Sequence, residues 1–112
     1  MGQLKERQLR LADLNDAFRR TGHGGERYLT RGIYDQGPVF VAMAIALVGA
    51  FDTFTEDNDP YGEHDFGVVR IEGQRVYWKI DYYDQEKRGG SPDPTDPSRT
   101  TRVLTIMLAG DY

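Results

Sequence analysis

Two histidines and a crowded run of carboxylates are the side chains in this sequence best suited to chemistry. His64 lies between Glu63 and Asp65, inside a segment from Asp52 to Asp65 that holds six acids: Asp52, Glu56, Asp57, Asp59, Glu63 and Asp65. His23 lies among glycines, in Thr21-Gly-His-Gly-Gly25. An unperturbed imidazole changes charge near neutral pH, so His23 and His64, brought together with Asp57 or Asp59, would suit general acid–base or metal-assisted hydrolysis. The spacing does not demand that assembly. No HExxH, phosphate-binding loop or nucleophile elbow occurs in the chain. The glycine turn at 21–25 matches neither a dinucleotide nor a P-loop pattern, and it follows a helical segment instead of a strand.

Asp57-Asn-Asp-Pro-Tyr-Gly62 sets a glycine at the sixth position of a calcium-type loop, but Tyr61 fills the fifth and Val68 the twelfth, where a bidentate Glu belongs. The segment reads instead as a turn whose Asp and Asn side chains bond nearby amides, and neither a metal nor another cofactor is expected. With no cysteine in the chain, structural disulfides, zinc–thiolate centres and cysteine nucleophiles are excluded.

A second chemistry is recognition. A charge run that is also rich in Phe, Tyr, Pro and Gly reads as an ordered surface beside a core. Glu56, Asp57, Asp59, Glu63 and Asp65 would steer and dock a partner, with Tyr61, Tyr77 and Tyr83 as aromatic anchors. Period-two alternation puts Val69, Ile71, Val76, Trp78, Ile80 and Tyr82 on one face of a hairpin. Phe66, Val68, Arg70, Arg75, Tyr77, Lys79, Asp81 and Tyr83 fall on the other. That face reads either as a contact surface or as core in which a helix, such as the first, covers the tyrosines; charges between the aromatics resist complete burial.

The elements that must position these residues follow from the apolar periods. Leu4, Leu11, Leu14 and Phe18 recur at helical spacing, which predicts a helix from Leu4 to about Arg20 with Lys5, Glu6, Arg7, Arg10, Asp13 and Arg19 turned outward. Arg27 to Arg31 reads as a short strand closed by Gly32. Pro38 opens a second helix ending near Phe51 or Phe54, apolar nearly all round and therefore expected at the centre, between the first helix and the sheet. Phe66 to Asp84 forms the hairpin about Glu72-Gly73, Lys87 to Arg99 a Pro/Gly-rich loop (87–99), and Arg102 to Leu108 the last strand. The expected fold is α+β: two N-terminal helices packed on a small antiparallel sheet of three or four strands. At 112 residues the chain fits one domain, 1–112, with residues 1–3 frayed.

The N-terminal segment is polar and mixed in charge, and the longest apolar run, Val39 to Val48, is half of the roughly 20 residues that cross a bilayer. A cytoplasmic protein with no membrane partner is expected. A net charge of −4 argues against direct nucleic-acid binding.

Several segments carry a family resemblance: Leu14-Asn-Asp-Ala-Phe-Arg-Arg-Thr-Gly22, Thr30-Arg-Gly-Ile33, Asp57-Asn-Asp-Pro-Tyr-Gly-Glu-His-Asp-Phe66, Trp78-Lys-Ile-Asp-Tyr-Tyr-Asp84, Ser91-Pro-Asp-Pro94 and Thr101-Arg-Val-Leu-Thr-Ile-Met-Leu108. From Leu11 onward the chain resembles the bacterial family called domain of unknown function 3768. The resemblance implies a small protein typical of proteobacterial genomes, plasmids and other mobile elements, and it implies no catalytic residue. The expected function is non-enzymatic: a module that binds a host protein and blocks a nucleic-acid-targeting defence system of the anti-CRISPR or antirestriction type. The alternative is a small metal-assisted hydrolase or nuclease using His64 and neighbouring carboxylates. A homodimer formed through the sheet face is a third reading.

Overall fold

A computed structural model describes residues 2–112. In chain order the elements are α1 (Gly2–Thr21), β1 (Gly25–Leu29), α2 (Arg31–Tyr34), α3 (Pro38–Ala50), β2 (Phe66–Ile71), β3 (Gln74–Tyr83) and β4 (Thr101–Leu108). Single 3-10 turns sit before and after β4, at Pro97–Arg99 and Ala109–Asp111. Part of the expected fraying at residues 1–3 falls on Met1, outside the described residues; α1 already begins at Gly2.

The fold is α+β, and its four strands lie in the order β1-β4-β3-β2. β3 is antiparallel to both neighbours, with Trp78 opposite Gly67 on one side and Ile106 on the other. β1 runs parallel to β4, Arg27 beside Leu104, so the sheet is mixed and the expectation of a purely antiparallel sheet is corrected. The reason is non-local. Between β1 and β4 the chain passes through two helices and the hairpin, so β1's direction is set by the edge it joins and not by its own five residues.

The alternation read for the hairpin holds. Val76, Trp78 and Ile80 of β3 join Ile71, Leu104 and Ile106 in a core closed by Phe18, Ile33, Phe40, Ala44 and Val48 from the three helices. Gly67 makes room for the indole: a Cβ there would lie 2.5 Å from Trp78 Nε1.

Two helical expectations are corrected. The strand read as Arg27 to Arg31 ends at Leu29, and Arg31 instead starts the short α2, which drives Ile33 into the core. The second predicted helix, α3, does pack against both α1 and the sheet at β2, but it is not buried all round. It buries Phe40, Ala44 and Val48 but leaves Val39 70%, Met43 39% and Leu47 40% exposed. The cause lies in α1, whose inner face carries Asn15 and Arg19 among Leu11, Ala12 and Phe18. That polar stripe directs α1 to the acidic loop and to one end of α3, where Gly49 meets the Arg19 carbonyl.

The 87–99 loop is tied internally despite its composition. Asp93 accepts from both the backbone N–H and the hydroxyl of Thr95, the Thr100 hydroxyl donates to the Asp93 carbonyl, and the Arg102 guanidinium donates to the Pro94 carbonyl. Among the described residues, no helix is long and apolar enough to cross a membrane.

Candidate functional site

The acidic loop is held in place by α1. Asn15, Asp16 and Arg19 share the helix face that also carries Leu11 and Phe18, so these polar groups enter the interior and must find partners there. Arg19 Nη1 donates to the Val48 carbonyl at 2.8 Å and the Phe51 carbonyl at 2.9 Å, at the C-terminal end of α3 where helix carbonyls lack a full set of intrahelical partners. Its Nη2 donates to Asp16 Oδ1 at 2.5 Å, and the guanidinium lies 4.6 Å over the Trp78 ring. Burial pulls the Arg19 pKa down, and the Asp16 carboxylate opposes that shift.

Asp16 in turn receives the loop. His64 Nδ1 lies 3.0 Å from each Asp16 carboxylate oxygen, and its Nε2 lies 3.7 Å from Asp59 Oδ2. The imidazole stacks on Phe54 with centroids 3.8 Å apart and planes 5° from parallel. His64 takes a φ of 57°, a left-handed conformation that costs a non-glycine residue energy and persists when surrounding contacts fix it. Those contacts are present: Asp59 accepts from the backbone N–H of Glu63 at 3.2 Å and of His64 at 3.3 Å. Asn58 accepts from the Thr55 amide and donates to the Thr53 carbonyl, each at 2.8 Å. The Asx-type turn read in the sequence is thus formed.

A second tie runs through Asn15, which is wholly buried. Its amide nitrogen donates to the Glu63 carbonyl at 3.0 Å and the Tyr82 hydroxyl at 2.7 Å, while its oxygen accepts from Arg102 Nε at 2.9 Å. The Tyr82 hydroxyl donates to Asp65 Oδ2 at 3.1 Å. Burial pushes the Tyr82 phenol far above its usual range, and Asp65 adds to the shift. Burial also raises the Glu63 carboxyl, reinforced by the neighbouring Asp65 charge.

The acids therefore divide. Glu56, Asp57 and Tyr61 stand exposed, whereas Asp59, Glu63 and Asp65 are partly buried, Asp59 and Asp65 accepting hydrogen bonds from within the domain. Glu56 and Tyr61 line an open cleft of about 510 Å³ together with Gln8, Phe54, Asp59 and His64. Among the described residues, no Lys or Arg pairs with Glu56 or Asp57. His23 is not part of this group. It is exposed in the turn after α1, where its backbone N–H donates to the Thr21 hydroxyl. Among the described residues, no three His, Asp or Glu side chains are grouped to hold a metal ion.

Tyr77, Lys79, Asp81 and Tyr83 lie on the opposite side of the sheet, because they alternate with Trp78, Ile80 and Tyr82, which face the helices. Among the described residues no α-helix covers them; Tyr77, Lys79 and Asp81 are half-buried and Tyr83 is exposed. Tyr112 folds back at one end, 5.5 Å from the Tyr77 ring and 6.2 Å from Phe66. Lys79 pairs with Asp81 at 3.0 Å, and Tyr28 of β1, half-exposed, extends the aromatic surface. The loop acids and this face point to different sides of the domain, so Tyr61 belongs with the first surface and Tyr77 and Tyr83 with the second.

Sequence reasoning missed Asn15 and Asp16 and turned Arg19 to solvent, whereas the Arg19 side chain is fully buried. The signal was present: Asn15 falls four residues after Leu11 and three before Phe18, in register with the core.

These features define a small α+β domain that covers one sheet face with helices, leaves the other open, and latches an acidic loop to its first helix. The chain belongs to the family described as Protein of unknown function (DUF3768), whose model matches residues 29–111. The match leaves out α1, and so leaves out Asp16, the anchor of His64. No curated protein and no solved structure matches the chain.

Proposed function

We propose that this domain is a non-enzymatic protein-binding module whose acidic cleft receives cationic side chains of a partner. The observation that carries the reading is the pairing of order with unneutralised charge: Glu56 and Asp57 are exposed and, among the described residues, meet no internal cation, on a loop fixed by Asn58, Asp59 and His64. Phe54 and Tyr61 in the cleft add aromatic surface, and an arginine on such a ring gains about 0.5–2 kcal/mol. Carboxylates held at fixed positions can stand where a nucleic-acid channel expects phosphates. The partner class is accordingly a basic, nucleic-acid-handling host protein, and the role is inhibition of a defence system in the cytoplasm. The open sheet face with Tyr77, Lys79, Asp81 and Tyr83 supplies a second contact surface.

Affinity capture from a bacterial lysate at low and high salt tests this, with the wild type beside a Glu56→Gln, Asp57→Asn, Tyr61→Ala triple variant. These substitutions leave Asp59, Glu63 and Asp65 in their internal bonds. A partner released by salt and lost by the folded triple variant is expected. Equal capture by both proteins sinks the acidic-cleft reading.

One observation favours a hydrolytic reading: Asp16 orients Nδ1 of a histidine that sits at a cleft wall, as a carboxylate does for a catalytic imidazole. Against it, Nε2 also faces a carboxylate, Asp59. Turnover of phosphodiester or ester substrates that disappears in His64→Ala, with divalent metal supplied, would establish this second reading in place of the first.

A further inference from the structure

The 13 residues of α3, PVFVAMAIALVGA, include no polar side chain. At about 100° per residue, Val39, Ala42, Met43, Ala46, Leu47 and Ala50 share one arc of ~140°, and all six are exposed. Tyr34, 68% exposed, adjoins the arc at its N-terminal end. A helix that needed only to cover this sheet would carry Lys, Glu or Gln on that arc; an apolar surface of this kind on a folded domain marks a contact.

The ends of the patch indicate what covers it. Beside its N-terminal end is Asp35, 68% exposed at the side chain and only 3.9 Å from Arg31 in a loose pair. At its C-terminal end Arg20 and Arg27 border a groove with Ala46, Gly49 and Ala50. Among the described residues, neither arginine pairs with a carboxylate. Two such helices packed antiparallel about a two-fold axis bring each Asp35 toward the other copy's Arg20 and Arg27, and set the helix dipoles head to tail. The patch is thus its own complement. Alanines at positions 42 and 46 let the helix axes approach to about 8 Å, the close end of ordinary helix packing.

We propose that the protein self-associates through α3, as an antiparallel two-fold pair with Ala46 near its centre. This surface is separate from the acidic cleft and the open sheet face, so it stands whatever becomes of the binding reading above. Its size sets the strength. A helix of about 20 Å buries less than the ~800 Å² per partner of a standard interface, so dissociation is expected on the order of micromolar.

Sedimentation of the full chain across the micromolar range tests the proposal. The wild type is expected to shift from monomer to dimer, and Ala46→Glu to weaken the dimer by roughly tenfold or more. Asp35→Arg should also weaken it, and Asp35→Arg with Arg20→Asp and Arg27→Asp should restore it. Because the chain has no cysteine, Ala46→Cys gives an independent readout: oxidation should produce a cross-linked dimer. A wild type monomeric throughout overturns the proposal, as does a dimer unaffected by Ala46→Glu. Cross-linking through Thr105→Cys but not Ala46→Cys would assign the dimer to the sheet face and likewise overturn it.

Discussion

His64 points Nδ1 at both carboxylate oxygens of Asp16, 3.0 Å from each, and thereby fastens the 52–65 loop to the first helix. The pair is largely shielded, with side-chain exposures of 27% and 15%, and Phe54 packs flat on the ring. A charge-assisted bond in such a place is worth about 1.5–3 kcal/mol. His64→Ala is therefore expected to lower stability by roughly that amount and to free the loop. Hydrogen exchange at the amides of Glu63 and His64 would then quicken far more than exchange in β3. Uniform acceleration across the domain would show that His64 does not act as a local latch.

Glu63 gives the stability a pH dependence of known sign. Burial, aided by Asp65, raises its carboxyl above the usual range, so the folded chain holds that proton more tightly than the unfolded one. The contribution is present below the unfolded pKa and is lost as pH rises through the folded value. Glu63→Gln removes the titration. The variant should melt higher than wild type at neutral pH, and the gap should close below the ordinary Glu range near about 4.3. A gap of equal size at neutral and acid pH would contradict this account.

Gly67 is fixed by the indole it faces. An added Cβ would meet Trp78 Nε1, Cε2 and Cζ2 at 2.5–2.7 Å, and the ring has no free space to retreat into because Trp78 is fully buried. Gly67→Ala is expected to cost about 1–3 kcal/mol through overpacking. Trp78 is the single tryptophan, so its fluorescence reports the displacement directly. Unchanged emission and melting temperature would mean that the strand shifts freely at this point.

The exposed tyrosines at the margins of the open sheet face should be dispensable for folding, although Val103 and Met107 on the same face are buried. Tyr28 and Tyr83 are 50% and 37% exposed, and among the described residues no α-helix packs on them. Tyr28→Ser and Tyr83→Ala are expected to change stability by no more than about 0.5 kcal/mol. Denaturant titration of each variant measures this. A loss well beyond that value would show these rings to be core residues and remove the face as a contact surface.

The sequence by itself determined the α+β class, the hairpin turning at Glu72-Gly73, its inward set of Val76, Trp78 and Ile80, and the ordered acidic turn. Those are local properties: a period of two, a glycine with positive φ, and Asx side chains that reach amides a few residues away. Tertiary structure alone decided the parallel pairing of β1, the one-sided burial of α3, and the division of the acids into exposed and internal groups. Each depends on which partner arrives from a distant part of the chain. Arg19 reads as a surface charge on a helical wheel, and with Asp16 it becomes an interior group only because the carbonyls of Val48 and Phe51 and the ring of His64 are brought to them. A residue's pattern states which side it can face; what waits on that side is set by the packing of the whole chain.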